Sequence, residues 1–293
     1  VCAVGLAFVG VVPVAAAEPD AVDVASQVVP SEVADATVDE HALDVAVRAG
    51  DIAVTVPSDA EDGIDLFLPG PDDFTIGLPF AGEAALASTD AGISFDNGNG
   101  SSTVPLVKDD GVVQLLTTIA DADAPTSYSY PLDLPDGAVL TLTSDGGAEV
   151  INGNGVVIAT VDAPWAVDAN GNAVATHYEV SGDTLTQVVA FTTTTAFPVV
   201  ADPKLTSTWW NRTVYFNRAD TKKFALGTGA VGTWVSWFPG VTTTVMGRIL
   251  QVNAALFGIY WGNGQCGKLV AYALGSYPVP QQYGGSEAGG YCK

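Results

Sequence analysis

The chain has 293 residues, two histidines, three cysteines and a net charge of −23. Such acidity excludes nucleic acid as a partner, because one polyanion repels another. The few histidines and cysteines, with no CxxC spacing among them, leave no recognisable metal-ligand set.

The charge is divided along the chain. From Glu18 to Pro203 the basic residues are Arg48 and Lys108, against 31 carboxylates, a net −29. From Lys204 to Lys293 eight basic residues face Asp220 and Glu287, a net +6. Asymmetry of this kind argues for two modules and for an internal contact between the acidic and the basic one.

In chain order, residues 1–17 read as a secretory signal peptide. An apolar run ends in Ala15-Ala16-Ala17 before Glu18, the small-x-small pattern of a cleavage site. The run is too short to span a bilayer. The expected compartment is therefore extracellular or envelope-associated. Cys2 leaves with that segment, so Cys266 and Cys292 are expected to form one disulfide. Residues 18–50 carry eight carboxylates and no aromatic residue as far as position 47. They read as a poorly ordered acidic tether.

Residues 51–203 read as an acidic β-rich domain. Short apolar or alternating runs such as "DIAVTV", "GIDLFL", "VVQLLTTIA", "SYSYPLDL", "VVIATVD" and "TLTQVVAFTT" are separated by Gly, Pro, Asn and Asp clusters. About a dozen short strands, rich in Val, Ile, Thr and Tyr, predict a sandwich. Within this region "DANGN" at 168–172 places Asp168, Asn170 and Asn172 at alternate positions, like the start of a calcium loop, but the closing Glu of an EF-hand is missing. It and "FDNGNG" at 95–100, which has the same two readings, read more economically as turns around Asn-Gly steps. In "THYEV", alternation places Thr176, Tyr178 and Val180 on one face and His177 with Glu179 on the other. That His–Glu pair has the groups for acid–base work, but no nucleophile motif accompanies it. Trp165 is expected in the core.

Residues 204–293 read as a basic, Gly- and aromatic-rich α+β module. "RTVYF" is a strand. Asn217, three residues before Asp220, predicts the N-cap of a helix from Arg218 to Phe238, broken by Pro239-Gly240. A second helix is expected from Val241 to Trp261, with Val241, Val245, Ile249, Val252, Leu256 and Ile259 as its apolar stripe. Ala225, Gly229, Gly232 and Ser236 on the first helix, and Ala254, Gly258 and Gly262 on the second, are small-residue stripes that allow close packing. "KLVAYAL" is a strand, and residues 275–293 are expected to return Cys292 to Cys266 as a loop.

The segments "PWAVDANGNAVATHYEVSGDTLTQVV", "FPVVADP" and "VYFNRADT" resemble a set of secreted, mostly uncharacterised actinobacterial proteins. These pair a β-rich region with a Gly-rich, two-cysteine C-terminal region. The tail also has a compositional likeness to bacteriocin-like peptides. Neither resemblance implies an activity.

No catalytic motif or Walker loop is present, and no cofactor is implied. The functional candidates are Trp209, Trp210, Arg212, Arg218, Arg248 and Trp261, in and after "TWWNRTVYFNR". Aromatics anchor at membrane interfaces or stack on sugars, and Arg pairs with phosphate. The expected function is a non-enzymatic, envelope-directed and toxin-like one, with anionic lipid or wall polymer as partner. A carboxylate-dependent polysaccharide hydrolase and a structural or adhesive surface protein are the alternatives.

Overall fold

The computed structural model describes residues 20–33, 43–49, 52–68, 73–89, 92–108, 112–207, 212–227, 243–271, 278–284 and 292. The expected signal peptide and Cys2 lie outside them. The fold is mainly β, sandwich-like, with a small α+β region at the C-terminal end and one disulfide.

The first sheet has seven strands in the order β1 (Ala46–Ala49), β2 (Ile52–Thr55), β3 (Ile64–Phe67), β4 (Phe74–Ile76), β9 (Ser127–Asp133), β15 (Thr184–Ala190) and β14 (Ala175–Ser181). The second runs β10 (Val139–Leu142), β11 (Ala148–Ile151), β12 (Val157–Val161), β17 (Lys204–Ser207), β8 (Val113–Ile119), β7 (Ser101–Val107), β6 (Gly92–Asp96) and β5 (Ala85–Thr89). In it, β16 (Val199–Asp202) pairs with both β8 and β13 (Trp165–Val167). The inner faces form one core: Ile52, Leu66, Tyr128, Tyr130 and Leu185 come from the first sheet, and Phe95, Leu115, Val150, Val161 and Leu205 from the second.

Local sequence explains the facing. Along β9 the pattern alternates strictly, with Tyr128, Tyr130 and Leu132 buried and Ser127, Ser129 and Asp133 exposed. That is the period-two signature of a strand with one wet face. Strand β8 instead is buried along its whole length. Val113, Leu115 and Ile119 face the inter-sheet core, while Leu116 belongs to a second cluster on the outer side.

The outer cover of β8 is the N-terminal segment. Helix α1 (Ala21–Val28) is capped by Asp20, whose carboxylate accepts from the amides of Val22 and Asp23. A short helix α2 (Pro30–Val33) follows. Val22, Val24, Ala25 and Val33 are buried against Val104, Leu106, Leu116 and Val200. Each buried Val contributes roughly 1.5–3 kcal/mol relative to exposure. Glu32 pairs with Lys108 at 3.2 Å. The expected poorly ordered stretch is thus corrected over residues 20–33 and 43–49. Its valines have an apolar sheet face to cover, which composition alone does not reveal. Trp165 is half-buried at the edge of the same cluster rather than in the main core.

Strand β17 pairs with β12 and β8. Lys204–Ser207 therefore belongs to the large sheet, and the charge change at position 203/204 falls between two of its strands.

The C-terminal sheet is β18 (Arg212–Tyr215), β19 (Cys266–Ala271) and β20 (Val279–Tyr283). Strand β20 lies within the expected loop. Its Pro280 sits opposite Leu269 on an edge strand, where a missing backbone donor is tolerated. One face of the sheet packs helices α3 (Arg218–Ala225) and α4 (Thr243–Gly262) through Val214, Phe216 and Leu269 against Phe224, Met246, Ile249 and Phe257. The other face packs Tyr215, Cys266 and Tyr283 on Ile151 and Val157 of the large sheet. Cys266 and Cys292 are bonded, with Cα atoms 5.7 Å apart.

Two helical expectations are corrected. Helix α3 ends at Ala225, not Phe238. Gly227 takes φ +66° and donates to the Phe224 carbonyl, a left-handed stop that glycine permits. Residues 228–242 lie outside the described residues. Among the described side chains of α4, Met246, Ile249 and Phe257 are buried, while Val252, Leu256 and Ile259 of the expected stripe are exposed; the side chain of Val245 lies outside the described residues. A helix apolar on most sides does not encode which side faces the core. The small-residue packing is seen at one point: a Cβ on Gly258 would lie 3.9 Å from that of Ala225.

Candidate functional site

Helix α3 begins where Asn217 accepts from the Asp220 amide at 2.8 Å. This fixes Arg218 and Lys222 one turn apart on the helix. The last turn of α4 carries Trp261. The guanidinium carbon of Arg218 lies 5.5 Å, and the Lys222 ammonium 5.0 Å, from the Trp261 ring centroid. Two cations thus share one indole, each at the range where the ring quadrupole attracts. Arg218 is oriented further by donating from Nη1 to the Gln265 carbonyl at 2.7 Å. Lys223 pairs with Asp220 at 2.8 Å.

Helix α4 has Arg248 as its one charged residue. Arg248, Val252, Leu256 and Ile259 recur at helical spacing on its outward side. Val252 is 77% and Ile259 55% exposed. Leu226, just past α3, is also exposed. The helical layer therefore presents an apolar ridge with an arginine at one end, and the cation–tryptophan cluster on its α3 side. No helix among the described residues is long and apolar enough to cross a membrane.

Of the residues singled out from the sequence, Arg218 and Trp261 are brought together, and Arg248 lies apart on the outward side of α4. Trp209 and Trp210 lie outside the described residues, as does the side chain of Arg212, whose backbone opens β18. Sequence reasoning missed Lys222. Its spacing of four from Arg218 is the one signal that places them on the same side of a helix.

Other candidates resolve into structure. His177 and Glu179 approach to 3.5 Å on the solvent side of β14, both more than half exposed, with Tyr178 buried between them. In "DANGN" the Asp168 carboxylate accepts from the amides of Asn170, Asn172 and Ala196, and Gly171 takes φ +77°. These bonds make a closed turn and hold the carboxyl below its usual range, the Asn172 amide contributing most. Asp202 is pushed the other way, to about 7, by burial. It is sealed in at 1% exposure, bonded to Gln114 at 2.8 Å. A group so enclosed offers no access to substrate. Among the described residues no three His, Cys, Asp or Glu side chains converge as a metal set.

Compared with known protein families, curated proteins and solved structures, the chain matches none.

Proposed function

We propose that this is a secreted, non-enzymatic protein that docks on anionic lipid surfaces of a cell envelope through its C-terminal helical layer. The observation that carries the reading is the outward side of α4, where Val252, Leu256 and Ile259 stand exposed in line with Arg248. An interfacial helix needs this combination: apolar side chains to enter the acyl boundary and cations to meet headgroups. The basic side chains of α3, Arg218, Lys222 and Lys223, face one carboxylate on their own helix, Asp220. Near an anionic surface each cation contributes on the order of 1 kcal/mol, and the Trp261 ring supplies the amphipathic anchor typical of that depth. The disulfide suits an oxidising compartment. Resemblance to secreted two-cysteine actinobacterial proteins supports the same setting, and a toxin-like effect on a target membrane is the activity this docking would serve.

The test is co-sedimentation of the whole protein with vesicles of phosphatidylglycerol and phosphatidylcholine, against vesicles of phosphatidylcholine alone. Binding to the anionic vesicles is expected, falling as salt screens the charges, and weakened by Val252→Asp or Ile259→Asp. Equal binding to both compositions, or binding untouched by these substitutions, would sink the proposal. Retention on purified wall polymer without vesicle binding would move the partner from lipid to wall.

A further inference from the structure

On the opposite side of the C-terminal sheet lies a second feature. Between the β10–β11 turn and the strands β18, β19 and β20 is an open cleft of about 290 Å³. Asp145 and Glu149 line one wall; Thr213, Tyr215, Lys268 and Gln281 line the other. The second wall is built by register. Tyr215 pairs with Lys268, and Lys268 with Gln281, so the three side chains form a row across the sheet.

The walls are fixed relative to one another. The Tyr215 hydroxyl donates to Glu149 Oε1 at 2.9 Å, and Glu149 is 6% exposed. The Tyr215 amide donates to the Gly155 carbonyl at 2.8 Å, and Val156 bridges to Val214. Ile151, Val157, Tyr215 and Tyr283 pack behind this seam. A binding site held this way loses little freedom when occupied.

The lining disfavours two classes of ligand and suits a third. Every lining residue but Val270 carries a polar side chain, unlike the largely apolar pockets of lipophilic ligands. An anion would meet the carboxyls of Asp145 and Glu149. The Thr143 hydroxyl bonds to Asp145 and holds its carboxyl below the usual range, so it stays ionised and accepting. A metal cation would meet the Lys268 ammonium, which lies 5.2 Å from the Tyr215 ring centroid. A neutral molecule rich in hydroxyls meets neither penalty. Each hydroxyl both donates and accepts, matching carboxylate acceptors on one wall and Lys, Gln and Thr groups on the other. The volume lies just below the range of ligand pockets, roughly 300 to 1,000 Å³, which limits the ligand to one or two rings.

We propose that this cleft binds a neutral saccharide of one or two sugar residues, or the exposed end of a longer glycan. The site is independent of lipid docking, since Val214 and Leu269 face the helices while Tyr215 and Lys268 face the cleft.

The experiment is an NMR titration of the full chain with glucose, N-acetylglucosamine, cellobiose and N,N′-diacetylchitobiose. Glycine and inorganic phosphate serve as comparison probes. At least one sugar should shift resonances of Thr213, Tyr215, Lys268 and Gln281 at millimolar concentration. Asp145→Ala, at an exposed turn, and Gln281→Leu should each weaken that binding roughly tenfold, the worth of a hydrogen bond to a charged or buried group. Spectra unchanged away from the cleft will show that each variant is folded. No sugar-induced shifts, shifts elsewhere, or affinity indifferent to both substitutions would overturn the proposal. So would a response confined to glycine, which would mark a zwitterion site, or to phosphate.

Discussion

The ring of Phe257 occupies the space that any side chain at Gly267 would need: a Cβ there would lie 2.1 Å from Cε1 of the ring. Phe257 also stacks on Phe224 at 3.9 Å between ring centroids and meets Phe216 edge-on. The ring therefore cannot move without disturbing two others. Gly267→Ala should destabilise the C-terminal region by about 1–3 kcal/mol, the usual cost of overpacking. Chemical denaturation of the variant measures it, and Phe257→Leu in the same chain should recover part of the loss. A neutral Gly267→Ala would mean that α4 does not press on β19 as described.

Asp202 gives the protein a pH dependence of defined sign. Its native carboxyl titrates near 7 because it is buried, against an ordinary value of 3.8. A group raised in the folded state contributes stability fully below its unfolded value and loses it as pH rises through the folded one. Wild-type protein should therefore lose up to a few kcal/mol between about pH 4 and pH 7 that Asp202→Asn does not lose. The asparagine keeps an acceptor for Gln114 and carries no charge. Thermal unfolding of both proteins at pH 5 and pH 8 decides it. Parallel behaviour of the two would refute the assignment.

Val22 is 2% exposed beneath the outer side of β7 and β8. Val22→Asp should detach α1, because an unpaired carboxylate there costs several kcal/mol. The expected readouts are faster proteolysis within residues 20–33 and concentration-dependent association through the uncovered sheet face. A variant as protease-resistant as wild type would contradict the packing.

Reduction of Cys266–Cys292 should act locally. The bridge spans a separation of 26 residues, for which chain-entropy reasoning gives roughly 3–4 kcal/mol. Hydrogen exchange after reduction should show lost protection in β19 and β20, with the core strands β8, β9 and β15 unaffected. Equal losses in all of them would show one cooperative unit.

His177→Ala should change stability by less than about 0.5 kcal/mol, as surface substitutions usually do. Its side chain is 60% exposed, and that of Glu179, 3.5 Å away, is 68% exposed. Loss of function by two orders of magnitude in a folded variant is the size of general acid–base catalysis, and it would reverse the non-enzymatic reading.

Much of the β-architecture was legible because local pattern and partner agree. The alternation of "SYSYPLD" matches the buried Tyr128, Tyr130 and Leu132, and the Asn217 cap stands where the polar residue before "RAD" implied. What escaped was decided by distant partners. Residues 20–33 have a composition that reads as disorder until Leu116 and Val200 supply a surface for them. The phase of α4 was misjudged because Val252 and Ile249 are equally apolar, and Phe257 with the sheet beneath it makes the choice. Strand β20 was hidden by Pro280, which an edge position accommodates. At the site, the separate interest of Arg218 and Trp261 was readable; their meeting, and the part of Lys222, depends on how α3 crosses α4.

The covering of β8 on both sides also sets an order of events. Val22 packs with Val104, Leu116 and Val200, so the α1 segment has a docking surface that is complete only after Val200, far along the chain, has been synthesised. Such long-range closure is entropically slow. Until then the outer side of β8 is open and adhesive, as in other late-closing β-proteins. Refolding should therefore show strand formation ahead of protection at Val22 and Val24, with α1 docking last.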